Sequence, residues 1–406
     1  MKTLIGPFDQ IITMRKVSPY GPVRDDQLEI IGKGGILIED HRILEKDRFD
    51  TLRKKNPDQI EEMENHYVLL PGFIDSHTHI CFKGSRAKDY TSRIEGATYQ
   101  EILKSGGGIY DTVKQTRNAS FQELFDMTEK RVRKHFMNGI TTLEIKSGYG
   151  LSMESELKML KVIHHLNEVV GPDLVSTCLA AHTVPTDYVS GAAYLNSIIK
   201  ELLPLIRKEK LSTRVDIFIE KNAFHPEEAF LFLTEAKKMD FRLTIHADQF
   251  TPGGSEVAAR VKAVSADHLE MIEERNIRLL VENEVVATVL PGASLGLGIP
   301  FAPARKILDS GACLAIASDW NPGSAPMGDL LTQAALLSVY QKLSFAETMA
   351  AVTFRSARAL SMSDRGILDK GMLADFVAFK TPDYREILYH QGQLKPELIW
   401  KKGKKL

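Results

Sequence analysis

Nowhere in the sequence do about 18 apolar residues follow one another without interruption, the length a helix needs to cross a bilayer, so no membrane span is expected. Cysteine is scarce. Cys81, Cys178 and Cys313 stand apart and none forms a CxxC pair. An odd, scattered set argues against a secreted disulfide framework and fits a reducing cytoplasm. The stretch Met1-Lys2-Thr3-Leu4-Ile5-Gly6-Pro7 lacks the sustained apolar core and cleavage site of a signal peptide. An excess of one charge is lacking too: the formal net charge is -1, with no long run of either sign. The basic tail Lys401-Lys402-Gly403-Lys404-Lys405 is too short for a nucleic-acid surface and reads as a solvated end. The expectation is a soluble cytoplasmic protein with no nucleic-acid or membrane partner. Its 406 residues suffice for one large domain with an appendage, or for two or three smaller ones.

What is present is a repeated phrase: a short apolar, β-branched run, a polar or glycine-bearing stop, then a stretch with helical period. The first run, Tyr67-Val68-Leu69-Leu70-Pro71-Gly72-Phe73-Ile74-Asp75-Ser76, reads as one buried strand and stops at His77-Thr78-His79. Seven more runs follow, over 141–146, 174–181, 215–219, 241–245, 263–267, 285–290 and 312–318. Their stops include Ser147-Gly148-Tyr149-Gly150, His182, Glu220, His246, His268, Pro291-Gly292 and Asp319. Between them, Phe121 to Asn138 and Pro226 to Met239 have the period and charge of helices, and Gly139 sits where the first should end. Alternating strand and helix implies a parallel sheet. Eight units over about 250 residues is the size of a (β/α)8 TIM barrel, whose active site lies at the carboxyl ends of the strands. A doubly wound open sheet is the alternative, but it would not bring the first and eighth strand ends together. The predicted barrel spans 67–362. Short strands in 1–66 and 363–406 are expected to pair into a small β-sandwich beside it.

The polar stops carry the chemistry. His77 and His79, two apart on a strand, face the same way, and imidazole suits zinc or iron. Catalytic sites of this kind use three protein ligands and leave a position for water. His77, His79, His246 and Asp319 are the candidates around one metal ion. Such an ion lowers the pKa of water from about 15.7 to about 7. Asp319 is of the right type to take a proton from that water and pass it to a leaving nitrogen, although Asp-Trp-Asn-Pro-Gly-Ser is also turn and helix-capping chemistry. His268 can hydrogen-bond a reacting carbonyl oxygen or be a structural strand-end residue, and His182 carries the same two readings. Glu220 is expected in a salt bridge of the barrel interior rather than on a second metal. Arg86 suits a bidentate carboxylate, hence an anionic substrate, or is a surface residue. Tyr149 is a candidate donor to that carboxylate. Gly106-Gly107-Gly108 lacks the frame of a phosphate cradle and reads as a flexible loop over the mouth.

Together these stretches resemble the amidohydrolase superfamily, and within it the ring-opening hydrolases of histidine breakdown. The resemblance rests on Pro71-Gly72-Phe73-Ile74-Asp75-Ser76-His77-Thr78-His79, Gly84-Ser85-Arg86, Glu95-Gly96-Ala97-Thr98-Tyr99 and Ser105-Gly106-Gly107-Gly108-Ile109. Further on it rests on Lys146-Ser147-Gly148-Tyr149-Gly150-Leu151, Ala181-His182-Thr183-Val184-Pro185, Ser265-Ala266-Asp267-His268-Leu269 and Ser318-Asp319-Trp320-Asn321-Pro322-Gly323-Ser324. It implies hydrolysis of 4-imidazolone-5-propanoate to N-formimidoyl-L-glutamate, a homodimer, and one zinc or iron ion on His77, His79, His246 and Asp319. It further implies substrate contacts from Arg86, Tyr149 and His182, from Asn321, Gly323 and Ser324, and from Tyr99. One position departs from the family pattern: after His246-Ala247-Asp248 many members have Glu, and here stands Gln249. An amide cannot shuttle a proton but still donates and accepts hydrogen bonds to a ring. Proton transfer then falls to Asp319 and His268. Deaminases of heterocycles often rely on Glu at this turn, so deamination is less expected than ring opening. Hydrolysis of another cyclic amide and a catalytically silent, anion-binding metal barrel are the remaining alternatives.

Overall fold

The computed structural model describes residues 1–97, 101–102 and 105–406. Tyr99 therefore lies outside the described residues.

The expected barrel is present. Its strands are Phe73–Asp75, Ile140–Lys146, Asp173–Ala181, Arg214–Phe218, Arg242–Ala247, Ser265–His268, Val286–Val289 and Leu314–Ile316. They pair in parallel and in chain order. The ring closes at its carboxyl rim, where Thr78 bridges Trp320 in parallel and the His79 N–H donates to the Trp320 carbonyl at 3.0 Å. That contact between the first and last strand ends rules out the open sheet. Helices cover the strands. The helix Phe121–Met137 is set by a capping box: the Ser120 side chain accepts from the Glu123 N–H while Glu123 accepts from the Ser120 N–H. It ends where expected, because Gly139 has φ +88°, a conformation that favours glycine. Pro226 opens the helix Pro226–Lys238 at a position where its missing N–H costs nothing.

One expectation fails. The run from Tyr67 to Ser76 is not one strand but two, in two different sheets. Val68–Pro71 pairs with Lys2–Ile12 and Phe376–Phe379 in the terminal sheet, and Phe73–Asp75 starts the barrel. The hinge is Gly72, where a Cβ would lie 2.4–2.9 Å from the side chain of Thr141 on the neighbouring barrel strand. The first segment is buried on both faces: Val68 and Leu70 join the barrel core, while Tyr67 and Leu69 join the core of the terminal sheet. No polar residue marks the switch, because both strands are covered on both sides.

The terminal segments form one mixed sheet of eight strands, drawn from both ends of the chain. Phe8 and Trp400 meet edge to face at 6.2 Å although their strands are not neighbours, so the sheet folds over its own core of Ile5, Phe8, Ile11, Ile36, Leu69, Phe376 and Trp400. Among the described residues no helix is long and apolar enough to cross a membrane.

Candidate active site

The carboxyl ends of the strands bring His77, His79, His246 and Asp319 to one point. His79 Nε2 lies 3.1 Å from His77 Nε2, 3.2 Å from His246 Nε2 and 3.4 Å from Asp319 Oδ1, and His77 Nε2 lies 3.7 Å from the same oxygen. All four side chains are buried. Burial pushes His77 and His79 well below the ordinary imidazole value, helped by the charge of Lys146 and by the neighbouring imidazoles. Burial also lowers His246, against the pull of Asp216. Neutral imidazoles are what a cation requires.

The back of the site fixes which nitrogen faces the centre. His77 Nδ1 contacts Asp267 Oδ2 at 2.7 Å, and His246 Nδ1 lies 2.9 Å from Asp216 Oδ2. Both Nε2 lone pairs are thereby turned toward His79 and Asp319. Lone pairs that crowd together in a dry interior need a shared positive charge. Four donors about 2.0–2.2 Å from one tetrahedral ion stand about 3.4 Å apart, and the observed spacings bracket that value. Three overlapping groups, His77-His246-His268, His79-His182-His246 and His77-His79-Asp319, have the spacing that can hold a metal ion.

His182 joins the cluster from the third strand. Its Nδ1 meets the Gly148 carbonyl at 3.0 Å, and its ring stacks on His79 at 5.2 Å. Burial, then the charge of His79, pulls it down to about 3. His268 behaves differently. Burial works against its charged form, yet Glu270, Asp319 and Asp267 outweigh that and hold it above the ordinary value. Its ring packs 5.2 Å from that of His246. His268 and Asp319 both sit at positive φ, +88° and +50°, backbone conformations that non-glycine residues rarely hold and that cluster at functional sites. Burial raises Asp319, partly offset by the surrounding histidines.

Beside the cluster lies a second group. Asp89 pairs with Arg86 Nε. The guanidinium Nη1 is directed at the loop after the eighth strand, where a Cβ on Gly323 would lie 3.1 Å from it. Asn321 shapes that loop: its Oδ1 accepts from the Gly323 and Ser324 N–H groups at 2.7 and 2.8 Å, and its Nδ2 donates to the Asp319 carbonyl at 2.7 Å. The Ser324 hydroxyl reaches Asp319 Oδ2 at 3.4 Å. Tyr149 is buried between the two groups, its ring 6.0 Å from His79 and 5.4 Å from His182. Burial, then the charge of Asp319, raises its hydroxyl, while Arg86 acts the other way. Gln249 is buried in the turn after the fifth strand. Gly108 at the mouth donates its N–H to Asp89 at 2.9 Å.

Glu220 differs from expectation: among the described residues it forms no interior salt bridge, and it is not part of the cluster. It accepts from the Phe250 and Thr251 N–H groups at 3.1 and 3.0 Å, which pins the loop after the fifth strand. Sequence reasoning missed Asp216 and Asp267 as partners of the histidines, Asp89 as the partner of Arg86, and Glu270 beside His268. A charged residue at an inward position of an apolar run was the available signal for the first two.

Residues 68–406 match the amidohydrolase family. The chain is 36% identical over 404 residues to the imidazolonepropionase of Geobacillus sp. (strain WCH70), covering 97% of this chain and 95% of that protein. It is 37% identical over 407 residues to the imidazolonepropionase of Parabacteroides distasonis, covering 99% and 98%. Among solved structures it resembles an atrazine chlorohydrolase from Arthrobacter aurescens TC1 complexed with zinc, with TM-score 0.71, 16% identity and coverage of 100% and 95%. An adenosine deaminase from Xanthomonas campestris with bound zinc is similar at TM-score 0.72 and 17% identity, covering 99% and 92%. The last two likenesses establish the fold alone. The match over most of the chain and the full-length relatives show that this chain belongs to the amidohydrolase family and, within it, to the imidazolonepropionases.

Proposed function

We propose that this protein opens the ring of 4-imidazolone-5-propanoate by hydrolysis, giving N-formimidoyl-L-glutamate in histidine degradation. The observation that carries the proposal is the meeting of three imidazole Nε2 atoms and one carboxylate oxygen beside a half-buried guanidinium. In this reading His77, His79, His246 and Asp319 hold one zinc or iron ion. Such an ion, when bound, brings the pKa of water toward neutrality and polarises a carbonyl.

The residues of the chain do the rest. Asp319 takes the proton of the attacking water and returns it to the ring nitrogen as the C–N bond breaks. The positive φ of Asp319 and its N–H donated to the His77 carbonyl at 3.0 Å keep it at the centre. His268, held toward its charged form, donates to the carbonyl oxygen as negative charge develops there. Arg86 binds the propanoate carboxylate, and Asp89 fixes its orientation. Tyr149 and Ser324 donate to the substrate, Asn321 and Gly323 hold the loop that bears Ser324, and neutral His182 offers its Nε2 to the ring. Gln249 hydrogen-bonds the heterocycle without moving a proton. The reading includes a homodimer acting in the cytoplasm on this anionic small molecule.

The test is direct. Purified protein, loaded with zinc or iron, is given imidazolonepropanoate while the ring's ultraviolet absorbance is followed. Loss of absorbance with formation of the formimidoyl product is expected. A fully loaded protein that leaves the ring intact but hydrolyses another cyclic amide, or releases ammonia from another heterocycle, would replace this reading.

A further inference from the structure

The barrel interior beneath the histidines is not apolar. Glu144 and Lys146 on the second strand, Arg214 and Asp216 on the fourth and Asp267 on the sixth all lie there with at most 1% exposure. In this fold alternate strands fill one interior layer, so side chains from the second, fourth and sixth strands meet. Lys146 Nζ stands among them, 2.8 Å from Glu144 Oε1, 2.9 Å from Asp216 Oδ2 and 4.0 Å from Asp267 Oδ2. The same two Asp oxygens face His246 Nδ1 at 2.9 Å and His77 Nδ1 at 2.7 Å. One ammonium thus faces both carboxylates that stand behind two of the imidazoles.

We propose that Lys146 is a positioning residue for the metal-binding histidines: it holds the Asp216 and Asp267 carboxylates in place behind His246 and His77, so that both rings keep Nε2 turned to the shared centre. The inference rests on the reading that these histidines hold a metal ion. Two carboxylates crowded into a dry interior repel one another, and a cation between them is worth more there than in water. An ammonium offers three donors on a tetrahedral nitrogen, and three carboxylates surround this one. Burial disfavours its charge, but Asp216, Glu144 and Asp267 outweigh that penalty. Among the described residues Lys146 contacts carboxylates and no imidazole, so it orients the rings through the aspartates, apart from the direct effect of its charge on His77 and His79. Carboxylates behind a ligating histidine fix the ring's tautomer and orientation, and their loss weakens metal binding by roughly 10–100-fold.

The experiment measures zinc affinity of the full-length apoprotein by competition with a chromophoric chelator. It compares the wild type, Lys146→Met, Asp216→Asn/Asp267→Asn and the triple variant, with circular dichroism to confirm folding. Lys146→Met is expected to weaken zinc binding by about 10-fold or more, since it releases both outer carboxylates. In the background where both aspartates are already amides, the same substitution is expected to cause no further loss of affinity, since only the direct repulsion between the ammonium and the bound cation is left to remove. Imidazole nitrogen NMR gives a second readout. His77 and His246 are expected as single Nδ1-protonated tautomers in the wild type and as mixtures in folded Lys146→Met. Unchanged affinity and tautomers in folded Lys146→Met would overturn the inference, and so would an equal loss in the two backgrounds. If Lys146→Met does not fold, the triple variant decides, because wild-type zinc affinity there would show that the clamp is not needed. A wild-type protein that binds no zinc would instead overturn the metal reading itself.

Discussion

Asp319 donates its backbone N–H to the carbonyl of His77 at 3.0 Å, so the segment just beyond the last barrel strand is fastened to the segment just beyond the first. The bond fixes two candidate ligands relative to each other through main chain rather than through flexible side chains. Asp75 reinforces it: its Oδ1 accepts the Ser318 N–H at 3.0 Å, one residue before Asp319. The geometry of the candidate metal site therefore depends on barrel closure.

Replacing one imidazole tests the ligand assignment. His77→Ala removes a donor that Asp267 has already oriented. Zinc affinity should fall by more than roughly 100-fold, beyond the range known for outer partners, while the circular dichroism spectrum is kept. Full metal content after dialysis, read by atomic emission, would remove His77 from the ligand set.

Arg86→Ala should separate substrate binding from metal binding. The guanidinium pairs with Asp89 and faces the Gly323 loop rather than the histidines. Loss of a charge-assisted pair with a carboxylate should raise KM on the order of tenfold to a hundredfold. Metal content should stay at the wild-type level. Metal lost in parallel with substrate affinity would mean that Arg86 supports the centre and not the anion.

The hinge between the two sheets predicts a stability defect that depends on one neighbour. A methyl group at Gly72 would meet the Thr141 side chain at 2.4–2.9 Å. Gly72→Ala should cost about 1–3 kcal/mol, the range for overpacking a core, as read by urea unfolding. Thr141→Gly carries its own cost as a buried strand residue, but in that background Gly72→Ala should cost much less than in the wild type. A Gly72→Ala cost as large in the Thr141→Gly background as in the wild type would place the strain elsewhere.

Much of this architecture was legible because the fold writes polar residues where apolar runs stop. His77, His79, His182, His246, His268 and Asp319 all lie at or just beyond the carboxyl ends of strands, and only a closed barrel brings the first and the last together. The switch at Gly72 was not legible, because the run is buried on both faces before and after it and nothing polar interrupts it. Asp216 and Asp267 were hidden for a related reason. A charged residue inside an apolar strand becomes meaningful only when the strand has an enclosed interior to point into, and its partners His246 and His77 come from other strands. Glu220 was misread because its partners are backbone N–H groups of a later loop, which carry no side-chain signature.

The pair Asp75 and His135 should give opposite pH signatures when separated. Both are fully buried, and His135 Nε2 lies 3.6 Å from Asp75 Oδ2. Burial pushes Asp75 up to about 7 and His135 down to about 3. In the unfolded chain the two titrate near 3.9 and 6.5. Between about pH 4 and 6.5 the folded chain keeps a proton on Asp75 that the unfolded chain has released, so that group makes stability fall as pH rises. Over the same interval the unfolded chain holds a proton on His135 that the folded chain lacks, so that group makes stability rise. Their slopes offset in the wild type. His135→Gln leaves the Asp75 contribution alone, and stability relative to wild type should decline as pH goes from about 4 to about 6.5. Asp75→Asn leaves the His135 contribution, and relative stability should climb over that interval. Urea midpoints measured in chelator, so that metal binding does not contribute, give both difference profiles. Parallel profiles for the two variants would show that this pair does not hold its protons in the arrangement the burial dictates.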